Sequence, residues 1–92
     1  MKHILYFTAD WCNPCKQTRP IVEELNHEQI MAKFFIIDVD SEIEMAQDFE
    51  VRSIPTFVLI KDNAEIYRVT GTQTRQQLEE LIAYEKDIEN DI

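Results

Sequence analysis

The sequence predicts an α/β fold in the order β-α-β-α-β-β-α, with a mixed four-stranded sheet and helices on both of its faces. Three observations point there. Short apolar runs at residues 3–7, 33–39 and 56–60 alternate with amphipathic stretches, as strands separated by helices do. The first two runs are joined through a helix, so they should pair in parallel with a right-handed crossover. The third is followed, after Lys61-Asp62-Asn63-Ala64, by the alternating EIYRVT at 65–70, which predicts an antiparallel hairpin.

Each element has a local reason. HILYF at 3–7 is short, apolar and aromatic and is closed off by the polar TAD, a buried strand. Ile21, Val22 and Leu25 then recur at helical spacing among Glu23, Glu24 and Asn26, giving an amphipathic helix from about 13 to 29. Pro14 suits its first turn, where a missing N–H has no helical partner, whereas Pro20 lies inside and should kink it. KFFIIDV at 33–39 is apolar on both faces, as a central parallel strand would be. Ser41 and Glu44 form an S-x-x-E capping box opening a short helix that ends near Phe49. Pro55 can enter the strand at 56–60 (TFVLI) only as a first residue. Thr74 and Gln77 form a second capping box, before a helix carrying Leu78, Leu81, Ile82 and either Tyr84 or Ile88.

With 92 residues and no linker or repeat, the whole chain, 1–92, is expected to be one small domain. A chain of that length buries about 60–65 % of its unfolded surface. The composition, 45 % hydrophobic and 29 % charged, is that of a globular protein. Eighteen acidic against nine basic residues leave a net charge of −9, a surface that repels phosphate backbones and anionic lipid, so neither nucleic acid nor membrane is an expected partner. Glu79, Glu80, Glu85, Asp87, Glu89 and Asp91 cluster near the end, a solvated helix face and terminus. No apolar run approaches the roughly 20 residues of a bilayer span. The opening MKHILYFTADW reads as a strand rather than a signal peptide, so a cytoplasmic protein is expected.

The only two cysteines stand in ADWCNPCK, at Cys12 and Cys15. In a reducing compartment such a pair is catalytic or metal-binding rather than a structural staple. Zinc needs about four ligands, and the chain adds only His3 and His27, neither at a ligand-like spacing; no metal is expected. A strand–helix junction places Cys12 at a helix amino terminus, where unpaired N–H groups and the dipole stabilise a thiolate. Cys15 lies about one turn on, where a resolving thiol must be. Cys12 would attack a substrate disulfide and Cys15 would then release the substrate, leaving a redox-active Cys12–Cys15 disulfide with no bound cofactor. Lys16 either favours the thiolate or is a solvated lysine. Trp11 either shields the thiols and meets substrate or fills the core.

The chain resembles the thioredoxin family. WCNPCK is similar to that family's WCGPCK, with Asn13 in place of glycine; Pro20 matches its helix proline, Val51-Arg52-Ser53-Ile54-Pro55-Thr56 the segment ending in its cis-proline, and Val69-Thr70-Gly71 its third substrate loop. The resemblance runs from Ile4 to about Ala83. It implies a thioredoxin-like fold that lacks the family's usual first strand and helix, with a cis Pro55 packed opposite the dithiol. It implies a substrate groove lined by Trp11, Pro14, Ile54, Thr70 and Gly71. It also implies a monomer that reduces protein disulfides and is recycled by an NADPH-dependent thioredoxin reductase; glutathione, as in glutaredoxins, is the other donor, though no basic cluster awaits its carboxylates. Two departures stand out. Tyr6 falls where the family has a buried aspartate, and Ile36 where it has the partner lysine, so both halves of an ion pair are absent together. Tyr6 either fills the core or donates a hydrogen bond near Cys15 while water carries the proton. The rival functions are a docking module with incidental thiols and an oxidising role in disulfide formation.

Overall fold

The computed structural model describes residues 2–28 and 31–85. Strand β1 (Lys2–Thr8) leads into helix α1 (Asn13–Glu28), followed by β2 (Ala32–Asp38), α2 (Ile43–Asp48), β3 (Thr56–Lys61), β4 (Ala64–Thr70) and α3 (Arg75–Ala83). The strand order is β2-β1-β3-β4, with β1 parallel to β2 and antiparallel to β3, and β3 antiparallel to β4. The predicted order, the parallel pair and the hairpin are all present. The turn is tight: Asp62 and Asn63 have φ of 53° and 66°, the left-handed pair that a two-residue hairpin requires.

Alternation along β1 divides the interior in two. Ile4 and Tyr6 face α1 and α3, packing with Val22, Leu25, Phe34, Phe57, Leu59, Leu78, Leu81 and Ile82. Leu5 and Phe7 face the other way, with Val58 and the partly buried Met45, Ala46 and Phe49 of α2 and its end. Thr74 caps α3 as expected: its hydroxyl accepts from Gln77 N–H at 3.1 Å while the Gln77 amide accepts from Thr74 N–H at 2.8 Å. Arg75 ties α3 to α1, donating to Glu24 at 3.1 Å and to Glu28 at 2.6 Å. Pro20 does not interrupt α1. The expected helix end at Gln29 and the alternative core residue Ile88 lie outside the described residues; Tyr84 packs against the core and stacks on Tyr67 at 4.7 Å.

Two expectations are corrected. β2 is an edge strand, not a central one, and Phe35 is 39 % exposed. The central position belongs to β1, which is hydrogen-bonded on both sides; β2 reads as apolar on both faces because Phe34 enters the core while Ile37 joins the α2 side. The Asn26 amide shields part of that edge, donating to Phe34 C=O at 2.9 Å and accepting from its N–H at 2.8 Å. The second correction concerns Ser41, which does not cap α2. The turn is made earlier, by Asp38: its carbonyl accepts from the N–H groups of Ser41 and Glu42, and its carboxylate from Asp40 N–H. The helix therefore starts at Ile43, with Glu42 at the cap position and no side-chain capping bond.

α2 closes with Val51 N–H bonded to Ala46 C=O and Glu50 N–H to Gln47 C=O, both at 2.9 Å, the paired bonds of a Schellman end. Glu50 occupies the left-handed position, with φ of 53°, where a side chain is strained and glycine is not. Glu50→Gly is expected to raise stability by about 0.5–1 kcal/mol, read as a higher urea midpoint. An unchanged or lower midpoint would contradict this.

An ion cluster joins β1, β3 and the chain after α3. Glu85 pairs with Lys2 at 3.0 Å and with Lys61 at 2.6 Å, and the hydrogen bonds from Lys61 and Lys2 hold its carboxyl down at about 2. The unfolded chain binds this proton more tightly than the folded one, so the stabilisation is complete above the ordinary carboxylate range and is lost as pH falls toward 2. Glu85→Gln should therefore lower the urea midpoint at neutral pH, with the difference from the parent shrinking between pH 4.5 and 2. A difference constant with pH would exclude the ion cluster as its cause.

Candidate active site

The last residues of β1 and the first turn of α1 set the site. β1 ends at Thr8, Cys12 N–H bonds back to Ala9 C=O at 3.2 Å, and α1 begins at Asn13, leaving Cys12 at the helix amino terminus. Cys12 and Cys15 are joined as a disulfide, with Cα atoms 5.3 Å apart. Cys15 N–H donates to the Cys12 sulfur at 3.2 Å, so a free helix N–H is aimed at the atom that carries charge in the reduced state. Both cysteines are buried, with Ala9, and partly buried Val39 and Ile54 pack on them.

Trp11 is 66 % exposed, which removes the core-filling reading of this residue. Its indole N–H donates to an Asp40 carboxylate oxygen at 2.8 Å, fixing the ring as one wall of a groove of about 300 Å³ lined by Trp11, Val39, Ala46, Val51, Arg52, Ser53 and Ile54. The Ile54–Pro55 peptide bond is cis. Gly71 N–H donates to Pro55 C=O at 2.8 Å, so the segment before β3 and the end of β4 are held together. Gly71 has φ of 96°, beyond what a side chain readily adopts.

Below the dithiol, Tyr6 is fully buried and stacked on Phe57 with ring centroids 4.7 Å apart. Its hydroxyl donates to Cys15 C=O at 2.9 Å. The predicted hydrogen bond near Cys15 thus exists, but it reaches the backbone rather than the sulfur. Burial pushes the phenol up from its ordinary range, against the lowering effect of a Thr8 hydrogen bond and the Arg19 charge. Ile36 packs against the same core. His3 lies on the sheet, edge-on to Phe35, and His27 is exposed late in α1; neither approaches the cysteines.

The thioredoxin family model matches residues 1–84. The chain belongs to the thioredoxin family. It is 40 % identical to a mutant thioredoxin from Halobacterium salinarum, a structure it matches with a TM-score of 0.82 over 88 % of this chain and 71 % of that one. Against the Fasciola hepatica thioredoxin structure the identity is 38 % and the TM-score 0.83, covering 89 % and 78 %. The thioredoxin of Chlamydia trachomatis is 36 % identical over 80 residues, 87 % of this chain and 78 % of that protein. Thioredoxins are protein-disulfide oxidoreductases whose centre is a dithiol rather than a bound cofactor, and this chain is a thiol–disulfide oxidoreductase with Cys12 and Cys15 as its redox pair.

Of the residues expected in a thioredoxin groove, Trp11 and Ile54 line the one observed, while Pro14 and Thr70 are exposed beyond it and Gly71 reaches it only through Pro55. Lys16 lies elsewhere again, on a recess behind Cys15. The sequence reasoning missed Val39 and Ala46 as groove walls, because they come from the edge of β2 and from α2 and bear no motif. Asp40 was missed too; its only signal was a carboxylate two residues beyond a strand end, level with the tip of the neighbouring β1.

Proposed function

We propose that this chain reduces disulfides of extended protein segments seated in the groove between Trp11 and Ile54, with Cys12 as nucleophile and Cys15 as resolving thiol. The carrying observation is the Cys15 N–H aimed at the Cys12 sulfur at the start of α1. A thiolate there is favoured by the helix end and is the species that attacks a disulfide. The Cys12 thiolate bonds to a substrate sulfur and expels the other half of the substrate as a thiolate. Cys15 then bonds to Cys12, and the second substrate sulfur leaves reduced. Trp11 and Ile54 supply apolar contact to the segment, Pro14 and Thr70 lie beyond the groove where a longer segment would reach them, and Pro55, tied to Gly71 through its carbonyl, holds the strand start opposite the dithiol. Lys16 adds positive charge near the pair.

The oxidised pair is returned by an NADPH-dependent thioredoxin reductase, and the protein works as a monomer in the cytoplasm, where thiol pools favour a reductant. Insulin reduction tests this reading. Turnover is expected with NADPH and thioredoxin reductase and not with glutathione and its reductase; turnover with glutathione alone would move the protein to the glutaredoxin-like alternative. Failure with both donors and with dithiothreitol would sink the reading.

A further inference from the structure

Once substrate is held on Cys12, Cys15 must lose a proton, and its interior surroundings offer no base. Ala9 packs with the two cysteines, and Val39 and Ile54 pack against that cluster. The one polar group below it, the Tyr6 hydroxyl, already donates to the Cys15 carbonyl and, raised by burial, stays protonated. Asp40 is engaged by the Trp11 indole N–H. On its outer side, however, Cys15 forms part of the wall of a recess of about 190 Å³ lined by Thr8, Ala9, Asp10, Cys15, Lys16 and Arg19. That is ample room for water. Two of the side chains there, Lys16 and Arg19, are cations, and one, the exposed Asp10, is a carboxylate. The Arg19 charge reaches the phenol bonded to the Cys15 carbonyl, and Arg19 is 3.5 Å from Glu23 on its outer side.

We propose that the proton of Cys15 leaves directly to water in this recess, and that Arg19 is a positioning residue whose charge favours the resulting thiolate. The inference rests on Cys15 being the resolving thiol. The titratable groups around it are Tyr6 on β1, Asp10 in the β1–α1 loop, and Lys16 and Arg19 on α1, with Glu23 paired to Arg19; Ile54, from the segment before β3, packs on the cysteine cluster. In the step, the Cys15 S–H proton passes to recess water and the Cys15 sulfur bonds to the Cys12 sulfur. The Cys12–substrate bond breaks, and the departing sulfur takes the electron pair and then a solvent proton. The protein pair loses two electrons and the substrate gains two.

A thiol that ionises in equilibrium with solvent has its thiolate fraction fixed by pH, so its rate follows pH and not the added buffer base, whereas one served by a side-chain base slows when that base is removed. Reduced protein mixed with excess 5,5′-dithiobis-2-nitrobenzoate releases one coloured thiolate as Cys12 attacks and a second as Cys15 resolves. The second phase should be independent of reagent concentration, show a single inflection with pH, and be unchanged by added imidazole at fixed pH; Asp10→Asn, which removes a nearby anion, should not slow it. Arg19→Gln should slow it about threefold at neutral pH and move the inflection upward, Arg19→Lys should restore it, and Tyr6→Phe should leave the inflection in place. A second phase slowed in Asp10→Asn, an inflection unmoved in Arg19→Gln, or one displaced in Tyr6→Phe would overturn the inference. Absence of a second phase altogether would instead overturn the role of Cys15 itself.

Discussion

Cys12→Ser is expected to lower insulin reduction by about a thousandfold or more, because the remaining thiol, Cys15, is buried and has no partner with which to close the disulfide that releases substrate. Cys15→Ser should fail differently. It keeps the attacking sulfur at the start of α1 and loses only the group that frees it, so it should accumulate a mixed disulfide with substrate that dithiothreitol releases. The accumulated species is measured by non-reducing electrophoresis or intact mass. The contrast matters more than either loss: two equally inert variants, neither holding substrate, would mean that the thiols do not divide the work as their geometry implies. Retention of activity in the double serine variant would favour the docking-module reading over the enzyme.

The second large effect concerns Tyr6. Its ring is stacked on Phe57, fully buried among the residues that join α1 and α3 to the sheet, and its hydroxyl anchors the first turn of α1 through the Cys15 carbonyl. Tyr6→Ala removes both and should cost about 3–5 kcal/mol, a large part of the stability of a domain this small. Tyr6→Phe keeps the stack and loses one neutral hydrogen bond, about 1 kcal/mol. Urea unfolding separates the two: if Phe destabilises as much as Ala, the hydroxyl rather than the ring dominates, and the packing account is wrong.

The core and the dithiol were legible in the sequence for different reasons. Strand and helix periodicity placed Ile4, Val22, Leu25, Leu78, Leu81 and Ile82 correctly because the buried face of each element is mostly apolar, Thr18 of α1 being the exception. Cys12 and Cys15 were legible because two thiols at that spacing, between a strand and a helix, have few other uses. Strand order was harder to read. Nothing within β2 distinguishes a central strand from an edge strand whose two faces both meet apolar neighbours, since edge status depends on which other strands exist. The capping residue of α2 was misread because Asp38, four residues before Glu42, competes for the same backbone donors. The recess behind Cys15 has no motif at all; Thr8, Asp10, Lys16 and Arg19 meet there only after α1 folds back along β1.

The central claim, that Cys12 is the reactive thiol and Cys15 the shielded one, is tested most directly by brief alkylation. Reduced protein is treated with limiting iodoacetamide at neutral pH and the modified residue is mapped by peptide mass spectrometry. The helix-end position of Cys12, where its thiolate is favoured, predicts label on Cys12 with Cys15 unmodified; equal labelling, or label on Cys15 first, would contradict it.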